Sequence, residues 1–193
     1  MSYSPAIHHR RSIRLKGYDY SQTGMYFITI CTHNRVGMFG DIERGEMILN
    51  EYGEIIKFTW FDLKNHNVNV LLDCFVIMPN HVHGIVMMMN NENPVGAGSK
   101  PAPIKPAPIK IRAGLEPAPT NHGLSEIMRQ FKTFSAKRIN KLRNTPAVPV
   151  WQRNFYEHVI RDEQSLCKIQ EYIINNPREW ERDELFFPSP KTC

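Results

Sequence analysis

Val68-Asn69-Val70-Leu71-Leu72-Asp73-Cys74-Phe75-Val76-Ile77-Met78-Pro79-Asn80-His81-Val82-His83-Gly84-Ile85-Val86 is the stretch on which the fold of this 193-residue chain turns. β-Branched and aromatic residues crowd both sides of Pro79-Asn80, a dipeptide suited to a turn. Two runs joined so tightly make a hairpin, its first strand over Val68 to Met78 and its second over His81 to Met89. Side chains two apart on a strand share a face. His81 and His83 therefore present two imidazoles side by side, while Val82 turns the other way into a core. A sheet offers two nitrogen ligands to one divalent metal in this manner. Alone, such a pair is more often just two half-exposed histidines at a strand start.

Upstream, Gly24 opens Met25-Tyr26-Phe27-Ile28-Thr29-Ile30-Cys31-Thr32, a second strand. Tyr26, Ile28 and Ile30 share one face and Phe27, Thr29 and Cys31 the other, and apolar content on both argues for a central position. Asn34 to Gly37 reads as a turn. Residues 47–64 carry Ile48, Tyr52, Ile55, Ile56, Trp60 and Leu63 at helical spacing, which predicts a helix. Before all of this, residues 1–23 form a basic arm. Arg10, Arg11, Arg14 and Lys16 precede the first acid, Asp19, and are either a solvated tail or phosphate contacts.

Downstream, residues 90–122 change character. The tandem Pro-Ala-Pro-Ile-Lys at 101–105 and 106–110 reads as a mobile, proline-rich insertion with no core of its own. Residues 124–143 resume helical spacing, with Ser125 as the expected N-cap. Off the apolar stripe lie Arg129, Lys132, Lys137, Arg138, Lys141 and Arg143 against the single acid Glu126, the pattern of a phosphate-tracking face. A short strand follows within Trp151 to Arg161, and Arg153 and Tyr156 are polar or stacking candidates on it. Asp162 then caps a final helix running to about Asn176, ended by Pro177.

The order β-α-β-β-α-β predicts an α+β, ferredoxin-like fold: an antiparallel sheet with helices on one face, plus a C-terminal helix. One domain over 24–180 is expected, with 181–193 as a loose tail. Four cysteines stand far apart with no C-x-x-C pair, and no run of 18 apolar residues occurs. These features fit a soluble protein of a reducing cytoplasm. A balance of 24 Lys+Arg to 19 Asp+Glu is only modestly basic, so the placement of charge matters more than its sum.

Tyr172 and Asn176 are four apart and share one face of the final helix. Histidines and an amide oxygen can leave open positions on a divalent ion, and a phenol nearby can act as a nucleophile toward a phosphodiester. Tyr156 shares a strand face with His158 and is a rival nucleophile that chemistry alone does not exclude.

His81-Val82-His83 after Met78-Pro79-Asn80, the run Trp151-Gln152-Arg153-Asn154-Phe155-Tyr156-Glu157-His158-Val159-Ile160-Arg161, and Glu171-Tyr172-Ile173-Ile174-Asn175-Asn176-Pro177 together resemble the REP-associated tyrosine transposases. Those are relatives of the single-tyrosine HUH transposases of bacterial insertion sequences. The resemblance implies that His81 and His83 bind Mg²⁺ or Mn²⁺, with Asn176 as third ligand and Asn175 its neighbouring alternative. It implies Tyr172 as nucleophile, with Tyr156 in the site wall. The reaction implied is cleavage and rejoining of single-stranded DNA with imperfect, REP-like hairpins through a 5′-phosphotyrosine, with a homodimer among the family's arrangements. The insertion at 90–122 is longer than such a compact fold requires. Two other readings share these residues: a catalytically silent hairpin-binding regulatory protein, and a hydrolase of small phosphoesters using water.

Overall fold

The computed structural model describes residues 22–89 and 122–186. The basic arm with Arg10, Arg11, Arg14 and Lys16, the segment 90–121 and residues 187–193 lie outside the described residues.

Six strands and three helices follow in order: β1 (Gly24–Cys31), β2 (Gly40–Glu43), β3 (Glu46–Leu49), α1 (Glu51–His66), β4 (Val70–Met78), β5 (His81–Met88), α2 (Leu124–Leu142), β6 (Tyr156–Ile160) and α3 (Glu163–Asn175). The main sheet is antiparallel in the order β4-β5-β1-β6, with β1 and β5 at its centre. This is the ferredoxin-like α+β arrangement expected. Apolar residues on both faces of β1 suit its position between two partners.

Alternation along β1 and β5 divides the core in two. Tyr26, Ile28, Ile30, Val82 and Val86 pack beneath α1 and α2 through Ile56, Trp60, Leu63, Ile127 and Phe131. Phe27, Ile85 and Ile160 form a smaller cluster with Ile173 of α3 on the opposite face. The sheet therefore separates two helices on one side from one on the other. Gly84 makes this packing possible: a Cβ there would lie 2.6 Å from the Trp60 ring. Trp60 uses the space to stack on Phe75, Gly84's neighbour across the ladder, at 4.3 Å between ring centroids.

The expected helix over 47–64 begins later. Asn50 is its N-cap and accepts from the amides of Tyr52 and Gly53, both at 3.0 Å. Met47, Ile48 and Leu49 instead belong to β3, paired with β2 across the two-residue turn Arg44-Gly45, where both residues have positive φ. Ile48 is exposed rather than part of the buried stripe. On α2 the cap is Gly123, without a side-chain bond, so Ser125 is not the N-cap. Phe134 and Leu142 of α2, whose helical spacing in the sequence assigns them to its buried stripe, are instead exposed. On α3 the expectation holds: Asp162 accepts from the Ser165 amide at 2.7 Å.

Residues 181–186, read from sequence as the start of a loose tail, return to the domain. Trp180–Arg182 form one 3₁₀ turn, and the Leu185 carbonyl accepts from Asn80 at 2.9 Å. No helix among the described residues is long and apolar enough to cross a membrane.

Candidate active site

Register places the histidines. His83 pairs with Thr29 and His81 with Cys31 on β1, so both imidazoles face the α3 side of the sheet. Both are buried. Asn80 donates its two amide protons to the carbonyls of Arg35 and Leu185, which turns its oxygen toward His81 Nδ1 at 2.8 Å. That oxygen only accepts, so Nδ1 of His81 carries the proton and Nε2 presents a lone pair. His83 Nδ1 is held at 2.8 Å by the Thr29 hydroxyl. The two Nε2 atoms converge to 2.9 Å.

Burial is the main force that pushes both histidines down to about 3, with Arg35 adding to the effect at His81 and His81 itself at His83. Both rings are therefore neutral at pH 7, the form in which imidazole ligates metal.

α3 crosses this face. Its seat is set by an irregularity in β4 between Leu72 and Phe75, where Asp73 bonds the Cys74 amide and also accepts from Gln170 of α3 at 2.9 Å. Two residues further along the helix, the Tyr172 hydroxyl stands 3.1 Å from Nε2 of His83 in the same chain. Phe27 orders the pair: it stacks on His83 and meets Tyr172 edge-on. Partial burial, and next the charge of Asp183, push the phenol up to about 12.

Asn176 is buried just beyond α3. Its Nδ2 donates to Asp183 Oδ2 at 2.9 Å, while its Oδ1 is buried with no protein hydrogen-bond partner among the described residues. Asp183 also accepts from Tyr172 at 3.4 Å, and one of its oxygens lies within 4.8 Å of the ligand nitrogens of His81 and His83. Trp180 closes the side of His81, with ring centroids 5.9 Å apart.

This donor set fits a divalent cation. Two ligand atoms at right angles, each ~2.1 Å from one ion, stand about 3 Å apart, which matches the separation of the converging nitrogens. A carboxylate is adjacent, and the buried amide oxygen of Asn176 lacks a protein partner among the described residues. Two imidazoles with an oxygen ligand do not select among Mg²⁺, Mn²⁺ and the other divalent ions.

His83, Tyr172, Asn176 and Asp183 open onto a cleft of about 1130 Å³ whose wall also includes Gln152, Asn154, Phe155 and Tyr156. Tyr156 packs against Phe27 and stands in this wall, whereas Tyr172 is hydrogen-bonded to His83.

The proposed phosphate contacts on α2 lie on the other side of the sheet, and several are engaged within the protein. Arg129 forms a two-armed pair with Glu126. Arg138 lies over the Phe58 ring and bonds Thr59 and Asp62. Lys132 turns away from solvent, and its ammonium donates to the carbonyls of Gln152, Arg153 and Asn154. Lys137, Lys141 and Arg153 are exposed.

Sequence reasoning missed Asp183, which sits in an aperiodic acidic segment with no distinguishing neighbour. It also treated Asn80 as turn chemistry alone. Its position beside His81 was the available signal, because a ligating imidazole needs a partner on its second nitrogen.

No family model matches the chain. An uncharacterized protein of Haemophilus influenzae is 43% identical over 185 residues, covering 95% of this chain and 97% of that one. A second Haemophilus influenzae protein, provisionally named a REP-associated tyrosine transposase, is 25% identical over 159 residues, 82% of this chain and 73% of its own length. Among solved structures, a REP-associated tyrosine transposase bound to a REP hairpin shares the fold with a TM-score of 0.53, at 14% identity. The match covers 93% of this chain and 94% of the other.

Proposed function

We propose, for a chain that belongs to one family with the uncharacterized Haemophilus influenzae protein, a metal-dependent transposase-type activity that cleaves and rejoins single-stranded, hairpin-forming DNA. The observation that carries this reading is the Tyr172 hydroxyl, 3.1 Å from a histidine nitrogen that itself lies 2.9 Å from a second. The fold shared with a transposase solved on a REP hairpin supports the choice of substrate.

His81, His83 and Asp183 would hold a divalent cation, with Asn176 beside them. When bound, a divalent cation there offsets the charge of a phosphodiester and of a developing phenolate. Tyr172 Oη attacks phosphorus and the bond to the 3′ oxygen breaks, leaving a 5′-phosphotyrosine and a free 3′-hydroxyl. Asp183 Oδ2 faces the phenol and is placed to accept its proton. Attack by a 3′-hydroxyl on the phosphotyrosine reverses the step and rejoins strands, so no outside energy source is consumed. The histidines act as ligands and not as the base. Lys137, Lys141 and Arg153, with the arm residues Arg10, Arg11, Arg14 and Lys16, contact backbone phosphates. Tyr156 stacks an unpaired base at the cleft wall.

The test is a labelled single-stranded hairpin incubated with Mg²⁺ or Mn²⁺ and resolved on a denaturing gel. A covalent adduct is expected, lost in Tyr172→Phe and retained in Tyr156→Phe. Cleavage that survives Tyr172→Phe overturns the assignment of the nucleophile. Hairpin binding without any adduct points to the silent regulatory reading.

A further inference from the structure

Lys132 is a cation turned inward beside a cleft that, on the reading above, receives a polyanion. An ammonium has three protons and no more. Here three consecutive carbonyls, those of Gln152, Arg153 and Asn154, take them. Nothing remains on Nζ for a phosphate oxygen. The group is half-buried, and desolvation brings it down to about 8, as expected for a charge withdrawn from water.

The held segment is fixed at its start as well. Trp151 bridges to Thr32, and its indole N–H donates to Ser135, three residues beyond Lys132 on α2. The Gln152 amide donates to the Cys31 carbonyl at 2.9 Å. The layer beneath the sheet thus grips a loop that borders the cleft on the other side. With its carbonyls gathered on Lys132, the loop places Gln152, Asn154 and Tyr156 on the cleft that Tyr172 also lines. Two primary amides next to an exposed phenol are base-edge readers and a stacking platform, and none of the three adds charge.

We propose that Lys132 is a positioning residue that arches the 152–154 segment so that Gln152 and Asn154 read an unpaired nucleotide of the DNA strand beside the scissile phosphate. The inference rests on the single-stranded DNA reading and adds to it a selectivity that phosphate contacts do not provide.

The experiment uses the full chain carrying Tyr172→Phe, so that nothing turns over. Anisotropy titrations employ a hairpin oligonucleotide with each of the four bases in turn at every unpaired flanking position, across a salt series. The parent is expected to prefer one base at one position by roughly tenfold, the order that a few base-edge hydrogen bonds provide. Lys132→Met is expected to shrink that preference to within about twofold while the slope of log affinity against log salt stays unchanged. Lys132→Arg, which retains donors, restores part of it. Should Lys132→Met fail to fold, Asn154→Ala leaves the carbonyls in place and still lowers the preference.

A slope reduced by about 0.7 in Lys132→Met, the loss of one single-strand phosphate contact, with base preference intact, overturns the proposal in favour of a direct contact. Preference that survives in both Lys132→Met and Asn154→Ala overturns it, as does a parent indifferent to every flanking base. A parent with no affinity for the hairpin overturns the DNA reading itself, before any Lys132 variant is made.

Discussion

Tyr172 and His83 meet at 3.1 Å within one chain, although 89 positions separate them in sequence. The phenol that α3 supplies is thereby hydrogen-bonded to the imidazole that β5 supplies, and no second copy is needed to bring them together.

The state of this phenol is testable without DNA. Burial and the Asp183 charge hold Tyr172 up at about 12, so in metal-free protein it stays protonated well past pH 10. Asp183→Asn removes one raising influence and is expected to lower the midpoint. A divalent cation at the histidines favours the phenolate and lowers it as well. Ultraviolet difference titration of the chain against Tyr172→Phe reads each shift. A midpoint near 10 with neither cation nor substitution contradicts the prediction.

Acid should loosen the metal-free protein. His81 and His83 are held near 3 when folded, against an ordinary 6.5. Between those values the unfolded chain binds protons that the folded chain refuses, so stability rises with pH across that window. The full value is present above about 6.5, and each histidine removes ~1.4 kcal/mol per pH unit as acidification proceeds below it. Urea melts at pH 7.5, 6 and 5 in the presence of a chelator measure this. His83→Gln is expected to flatten the dependence.

Asn80→Ala should weaken metal binding without touching a ligand. The Asn80 oxygen fixes the tautomer of His81, and its amide protons join Arg35 to Leu185. Loss of such a partner costs roughly 10–100-fold in metal affinity. Calorimetric titration with Mn²⁺ is the measurement, and an unchanged affinity would remove Asn80 from the site.

Gly84→Ala tests how closely ligand spacing and core packing are joined. The added methyl would meet Trp60 at 2.6 and 2.7 Å. Overpacking of this kind costs about 1–3 kcal/mol. A smaller ring in Trp60→Phe is expected to recover part of that loss, so the double variant should be less destabilised than the sum of the two single changes.

Legibility varied with how far each residue's behaviour was local. Alternation in β1 and β5 is a local signal, and it gave the histidines their common face and Phe27 a shared face with Thr29 and Cys31; that this face meets the histidines comes from strand register. The Tyr172–Asn176 spacing likewise put both on one side of α3. The β2–β3 hairpin escaped because Arg44-Gly45 lacks the usual asparagine or aspartate before glycine, and Ile48 mimicked the next helical stripe. Lys132 read as part of a phosphate-tracking face because a long side chain's destination is not written in its spacing. Asp183 reaches the histidines from an aperiodic segment, so only tertiary structure associates them.

Asn80 joins segments that leave the ribosome at very different times. Synthesis proceeds from the N-terminus, and domains fold as units once enough chain has emerged. The histidines at 81 and 83 appear early, whereas the phenol at 172, the carboxylate at 183 and the carbonyl at 185 that helps orient Asn80 come far later. A nascent or prematurely ended chain therefore carries two imidazoles without the phenol and carboxylate they meet in the finished fold. On the proposed reading, competence for strand breakage arrives only when translation of this region is complete.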